Sequence, residues 1–452
     1  MSELAAPVAL LALAAPLVFA LRKRVAIAAV GTLCALAGAA ALLILAPETH
    51  GQVLSLDLVL TPLARLAAVA LLGILAVIVV DVWLDEPAYN LFPTALGVGA
   101  VVVAVLLLQN ALATEAALLV GLLLPVGSFT FQVHRNRSVE AAIRHFAFVS
   151  LGGTIGLAAL ALAAGLPHDQ PQSTFVLLVV ILYLAFALQL ALIPFHTHAA
   201  LLTAEAPATA LALSFGVLTP TVVIAFAEIL TDTGLLPSIV QLTKVQDLLL
   251  GIGALSALGG AILAVGAADL RRLVVSSVIA DLGMAVVGVG SFSGPGLVGA
   301  IVIALATGAS ATQQLLAAGA LERRAAGGPP RAARAPLAAA AFVCGGVGLV
   351  GAPPIVAFPG HFFVELMAYA FASWLGGVLV LATLLLLLAQ LRMAIALFAD
   401  GLPSWRPEPR PIAGIAGMLL FAVLLAGGIA PDALLRPIAA FAEEFLHAVR
   451  PL

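Results

Sequence analysis

The sequence predicts an all-α polytopic membrane protein of about fourteen transmembrane helices, and three observations carry that prediction. Of its 452 residues 63% are hydrophobic and only 9% are charged, where a soluble domain carries about a quarter. The apolar residues form continuous runs of roughly twenty, the length a helix needs to cross the hydrocarbon. These runs lack the two-residue alternation of barrel strands, so a closed β-barrel is excluded.

In chain order the runs lie at 4–21, 25–46, 58–80, 91–108, 112–133, 145–165, 174–193, 207–230, 247–267, 272–291, 296–319, 336–370, 373–398 and 411–430. The run at 336–370 is long and interrupted. The segments between runs are short, and none resembles a soluble domain. No charged stretch precedes the first run, which reads as a span rather than a cleaved leader. A net charge of −3 gives no sign of a nucleic-acid partner. Cys34 and Cys344 both sit in apolar runs, as packing residues do. No nucleotide loop, zinc motif, iron–sulfur cysteine set or nucleophile elbow is present, so no cofactor and no catalytic residue are expected in this chain. Among the basic residues only Lys23 and Lys244 are lysines. With the heavy use of Ala this composition suggests a bacterial genome, and hence a bacterial inner membrane.

Basic residues orient the chain. Arg22, Lys23 and Arg24, then Arg135, Arg137 and Arg144, then Arg271 and Arg272, then Arg323 to Arg334, then Arg392, Arg406 and Arg410 all fall on odd-numbered connections. This puts odd connections in the cytoplasm and both termini outside. The acidic third connection, Asp81 to Glu86, is the exception.

A few polar residues interrupt the apolar runs. Asp57 and Arg65 open the third run and read as interfacial residues, Arg65 snorkelling. Glu115 lies in the fifth run; a carboxylate there is costly unless paired, hydrated or protonated. At 186–221 the pattern changes most. An apolar helix reaches Ile193 and meets Pro194, which lacks an N–H and should end or break it. His196, His198 and Glu205 follow, and Ala206-Pro207 opens a second apolar helix. In the twelfth run Pro353 and Pro354 should make a second break. His361 and Glu365 then stand four apart and should share a helical face.

These motifs carry a resemblance. Pro194-Phe195-His196 followed by Glu205-Ala206-Pro207 resembles, without insertion, the PFHxWLPxAxxEAPT signature of the antiporter-like membrane subunits. Those subunits belong to respiratory complex I, Mrp-type cation/proton antiporters and energy-converting hydrogenases. His198 and Ala199-Ala200 replace part of that signature. Asp269-Leu-Arg-Arg-Leu-Val-Val-Ser-Ser277 resembles the family's DLKRLLAYSS stretch. Gly351-Ala-Pro-Pro-Ile-Val-Ala-Phe-Pro-Gly-His-Phe362 resembles its GxPPxxGFxxKF motif.

The resemblance implies two inverted five-helix repeats, each with a proline-broken helix. The implied units are 1–90 (spans one to three), 91–231 (first repeat), 246–400 (second repeat) and 411–452 (last span and an amphipathic C-terminal helix). It implies proton-path roles for Glu115, Gln189, His196, His198, Glu205, His361 and Glu365. It also shows what is missing. The family's membrane-centre lysines correspond here to Gln189, Pro220, Ala311 and His361, and its central His to Thr307. Glutamine cannot titrate. Gln313 and Gln314 are the only strongly polar side chains near that centre.

The implied function is that of a membrane subunit of a complex I-like or hydrogenase-related redox complex, contributing to proton or cation translocation. The alternative is a degenerate antiporter-like subunit with a structural or assembly role. Either way the expected partners are other membrane subunits of a multi-subunit complex and the lipid bilayer, with peripheral redox subunits reached indirectly.

Overall fold

The computed structural model describes residues 3–47, 49–53, 55–85, 91–131, 137–165, 172–233, 243–325, 328–399 and 411–449. The first helices are α1 (Ala6–Ala20) and α2 (Val25–Leu45). A short antiparallel hairpin follows, β1 (His50–Val53) against β2 (Leu56–Val59), with His50 opposite Val59 and Val53 opposite Leu56. The sequence showed no strand here. The hairpin's turn lacks an Asn-Gly or Asp-Gly pair, and Ser55 supplies the positive φ of 65° instead.

Next come α3 (Pro62–Leu84), α4 (Leu91–Leu107), α5 (Ala111–Leu123), α6 (Ser138–Gly165), α7 (Gln172–Gln189) and α8 (Thr197–Glu205). After them runs α9 (Ala208–Asp232). The remaining helices are α10 (Thr243–Val265), α11 (Leu270–Gly290), α12 (Gly294–Arg324), α13 (Pro336–Leu349), α14 (Ala357–Phe371), α15 (Ser373–Leu397), α16 (Ile412–Ile429) and α17 (Asp432–Val449).

Among the described residues eleven helices are long and apolar enough to cross a membrane, and Leu91–Leu107, Val176–Gln189 and Pro336–Leu349 are shorter apolar helices. Full-length helices alone therefore do not reach the expected count of about fourteen. Both expected breaks are present. The first separates α7 from α8 at Pro194, and the second separates α13 from α14 at Pro353 and Pro354.

The core is organised on α12, whose residues from Gly296 to Leu321 are all buried. Ser293 caps it by accepting from the Gly296 N–H at 3.1 Å. Its 31 residues make a rod about 46 Å long at 1.5 Å per residue. It packs on α3, α9, α11, α13, α14, α16 and α17. In lipid the gain comes from close backbone approach, which small residues permit. Gly308 of α12 meets Gly216 of α9, and a Cβ at Gly308 would stand 2.5 Å from the Gly216 carbonyl oxygen.

Around that contact α9 widens to a π-helix over Ala212–Leu218. Pro220 has no N–H to offer the Gly216 carbonyl four residues back, so a regular α-turn is impossible there. The Thr219 and Thr221 hydroxyls donate instead to the Ser214 and Val217 carbonyls at 2.9 and 2.8 Å.

On the face carrying the basic connections, ion pairs hold the helix ends. Asp85, at the end of α3, pairs with Arg323 and lies 3.7 Å from an Arg324 nitrogen. This explains the acidic connection, which meets the arginines on the same face. Buried Arg271 of α11 pairs with Glu322 of α12 at 2.7 Å and donates to the Ala206 carbonyl at 2.6 Å. The Asp-Leu-Arg-Arg motif thus ties the second half to the Glu-Ala-Pro corner of the first. Helix α17 lays Ile438 and Phe445 against α12 and α3 and leaves Glu443 and Glu444 exposed.

Candidate functional site

The first break brings the chain's polar residues inside. Helix α7 ends at Gln189, and the Ile193 N–H freed by the break donates to Ser256 Oγ of α10 at 3.0 Å. Gln189, held at the helix end, donates from Nε2 to Glu115 Oε1 at 2.6 Å. Glu115 comes from α5 and is fully buried. The pair lies on two glycines of α6. A Cβ at Gly156 would sit 2.6 Å from Glu115 Oε1, and one at Gly152 would sit 3.1 Å from Gln189 Cγ. Only glycine lets the pair seat so close to the α6 backbone. Glu115 Oε2 and Gln189 Oε1 have no protein partner, so the site has acceptors left for water.

Helix α6 also carries His145, seven residues before Gly152 and so about 10 Å along the axis. Its ring lies 5.3 Å from that of His198 in α8, between the edge of Phe129 and the stack of Phe148 on His198. His198 Nδ1 is 2.9 Å from the Phe195 carbonyl oxygen, and both imidazoles are buried.

His196 and Glu205 lie elsewhere. They line a half-open polar cavity of about 530 Å³ with Arg137, Arg144, Arg272 and Ser276. Arg137 and Arg144 both pair with Glu140 at 2.7 Å, which keeps the cavity mixed in charge.

The second half holds a different cluster. Asp281 of α11 is fully buried. Thr307 of α12 donates to its Oδ2 at 2.7 Å, and His361 Nε2 of α14 stands 3.8 Å from its Oδ1. Gly351, at φ 66°, makes room for the imidazole; a Cβ there would be 2.5 Å from the His361 ring. One turn back on α11, Ser277 accepts from Gln390 of α15 at 3.3 Å. Gln390 Oε1 accepts from Gln314 Nε2 at 2.9 Å, and that amide also donates to the Phe342 carbonyl. Gln313 donates to the Ala341 carbonyl at 2.8 Å. A polar thread therefore crosses α11, α12, α14 and α15.

Residues 88–387 match the family described as NADH:quinone oxidoreductase/Mrp antiporter, transmembrane. The chain belongs to that family. A curated relative, NADH-quinone oxidoreductase subunit 13 of Thermus thermophilus, is 31% identical over 58% of this chain and 56% of its own length. Subunit M of the same oxidoreductase from Rickettsia conorii is 28% identical over 42% and 38%. The chain thus spans about half or less of the curated relatives it matches.

Solved structures share the whole fold. The Mrp complex from Dietzia sp. contains a chain that superposes with a TM-score of 0.86 at 20% identity, covering 99% of this chain and 100% of that one. Respiratory complex I from Thermus thermophilus with bound NADH contains another, with the same score and coverage at 21% identity. An archaeal membrane-bound sulfane sulfur reductase contains a third, at 0.85 and 15%, covering 99% and 98%.

Within this family frame three features depart from expectation. The resemblance pointed to Thr307 and Ala311 on α12 for the central ionisable groups; the carboxylate arrives instead from Asp281 on the neighbouring helix. The four-residue spacing predicted a His361–Glu365 pair; His361 turns to Asp281, while half-buried Glu365 accepts from Thr383 of α15 at 2.7 Å. His145, the first residue of the sixth apolar run, joins His198 from α6 without having been marked as a site residue. A signal existed for Asp281, which is the one charged residue in the run from Leu273 to Gly290. His145 carried none, because it follows Arg144 in a polar stretch.

Proposed function

We propose that the chain is a membrane subunit of a complex I-like or hydrogenase-related redox complex and that it moves protons through its own interior. The observation that carries this reading is a buried carboxylate in each half, Glu115 and Asp281. Among the described residues neither is paired with a lysine or arginine. A lone carboxylate inside a bilayer is costly, and its charge must be balanced by a proton or by a cation arriving with water.

The partners then divide the work. Gln189 neither gains nor loses a proton; its Nε2–H holds one carboxylate oxygen of Glu115 in place and leaves the other for water. At Asp281 the partner itself titrates. His361 Nε2 stands 3.8 Å from Asp281 Oδ1, beyond direct hydrogen-bond length, so a proton passes between them after a small approach or through water, while Thr307 fixes the second oxygen. His196 at the polar cavity and the His198–His145 rings supply further proton-binding nitrogens on the basic face of the bundle.

In this reading the basic face is cytoplasmic, both termini are outside, and the membrane is a bacterial inner membrane. Redox centres belong to partner subunits. The family match and the shared fold support a place among sibling membrane subunits.

The test is proton pumping by inverted vesicles carrying the assembled complex. Glu115→Gln, Asp281→Asn and His361→Ala should each lower the proton-to-electron ratio while electron transfer continues. An unchanged ratio in all three would assign the chain a structural or assembly role.

A further inference from the structure

The face formed by α3, α12, α16 and α17 contains a crevice that the proton-handling residues do not use. Its volume is about 630 Å³, and Gly73, Ala306, Ala309, Leu420 and Gly427 are among its walls. Among the described residues, a Cβ on Gly73 would meet no atom within 4 Å beyond the backbone of its own helix. Leu419 and Val423, at its rim, are 61% and 68% exposed, so the crevice opens toward lipid. A second apolar cavity of about 560 Å³ continues it toward the start of α3. The two share Leu66, Val69 and Ala70, and the second is also lined by Ile44, Pro437 and Arg65.

Among the described residues Arg65 is the only charged one lining either cavity. One of its nitrogens donates to the Ala46 carbonyl at 3.1 Å. Its Nε has no partner, and no carboxylate pairs with it among the described residues. A guanidinium in this position matches a phosphate, with several N–H donors in one plane.

We propose that this crevice binds a membrane phospholipid, its phosphate on Arg65 and an acyl chain laid along α3 past Gly73. Dimensions suit a lipid acyl chain. From Arg65 to Val77 the helix rises about 18 Å, close to half the thickness of the hydrocarbon. A single hydrocarbon chain, ~4–5 Å wide by van der Waals contact, displaces roughly 300 Å³ over the same length. The charge also favours a lipid, since an apolar helix offers nothing to the guanidinium.

The experiment places the complex containing the full chain in nanodiscs of phosphatidylglycerol carrying a photoactivatable diazirine midway along one acyl chain. Irradiation and mass spectrometry then locate the label. The expected result is labelling of α3 around Gly73 and of α16 around Leu420 at several times the level found at Leu388, an exposed lipid-facing residue of α15. Gly73→Phe should fill the crevice and lower that labelling at least fivefold with Leu388 unaffected. Arg65→Gln should lower it about threefold, a difference of about 0.6 kcal/mol in binding, and requires no change in packing. Labelling near Gly73 no higher than at Leu388, or unchanged in both variants, overturns the proposal. So does a photocrosslink from this face to a neighbouring protein subunit in place of lipid.

Discussion

Glu115 in one half of the bundle and Asp281 in the other are both fully buried, and they are held differently. In the first half Glu115 is bonded to an amide and seated on two glycines of α6. In the second, Asp281 is bonded to a hydroxyl and faces an imidazole across a broken helix. The first arrangement orients a carboxylate; the second surrounds it with a partner that can exchange a proton. The two buried carboxylates therefore have different kinds of partner in one chain, and only the second faces a side chain that can itself titrate.

The comparison can be broken most directly at Asp281. Asp281→Asn leaves the Thr307 contact in place and removes the proton acceptor facing His361. Proton transport in reconstituted vesicles should fall by about a hundredfold, the lower end of what loss of a positioned proton carrier costs. A fall under twofold would put the working site elsewhere.

Glu115→Gln should cost less. An amide at this position can still bond to Gln189 and to water, so a fall of about tenfold, or about 1.4 kcal/mol in barrier, is expected in the same assay. Equal losses from the two substitutions would erase the distinction drawn between the halves.

Gly156→Ala tests the seat rather than the carboxylate. Its Cβ would meet Glu115 Oε1 at 2.6 Å, and overpacking of this kind costs about 1–3 kcal/mol. The unfolding midpoint of the detergent-solubilised chain should drop, and Glu115→Ala in the same background should recover part of the loss. No recovery would show that the clash lies with something other than that side chain.

The smallest effect is expected at Gln390. Gln390→Ala removes its bonds to Gln314 and Ser277, worth about 1–2 kcal/mol together, and should leave the proton-to-electron ratio within about twofold of wild type. A large loss of pumping would make the amide thread part of the proton path.

Much of this was legible in the chain itself. Prolines 194, 353 and 354 announced both breaks, because a missing N–H interrupts a helix whatever surrounds it. Glu115 and Gln189 were legible through the motif spacing of the resemblance, and the structure bonds them to each other. His361 was legible as a buried polar residue, but its partner was not. Four-residue spacing is a rule for regular helices with both side chains on a free face; here the break after Gly351 sets the rotation of α14 and turns His361 to the core and Glu365 toward α15. The hairpin at 50–59 and the π-segment of α9 were equally hidden. One depends on a single Ser at positive φ, the other on how Pro220 is accommodated against α12.

The one-dimensional pattern of apolar runs, prolines and basic connections determined by itself that this is a bundle of membrane helices with two interruptions, since hydrocarbon leaves a backbone few ways to satisfy its polar groups. Which polar side chains meet inside the bundle was decided only in three dimensions. Asp281 and His361 are 80 residues apart, as are Glu115 and Gln189 by 74. Contacts at that separation depend on the rotation of each helix about its own axis, which close packing between neighbours sets and local sequence does not.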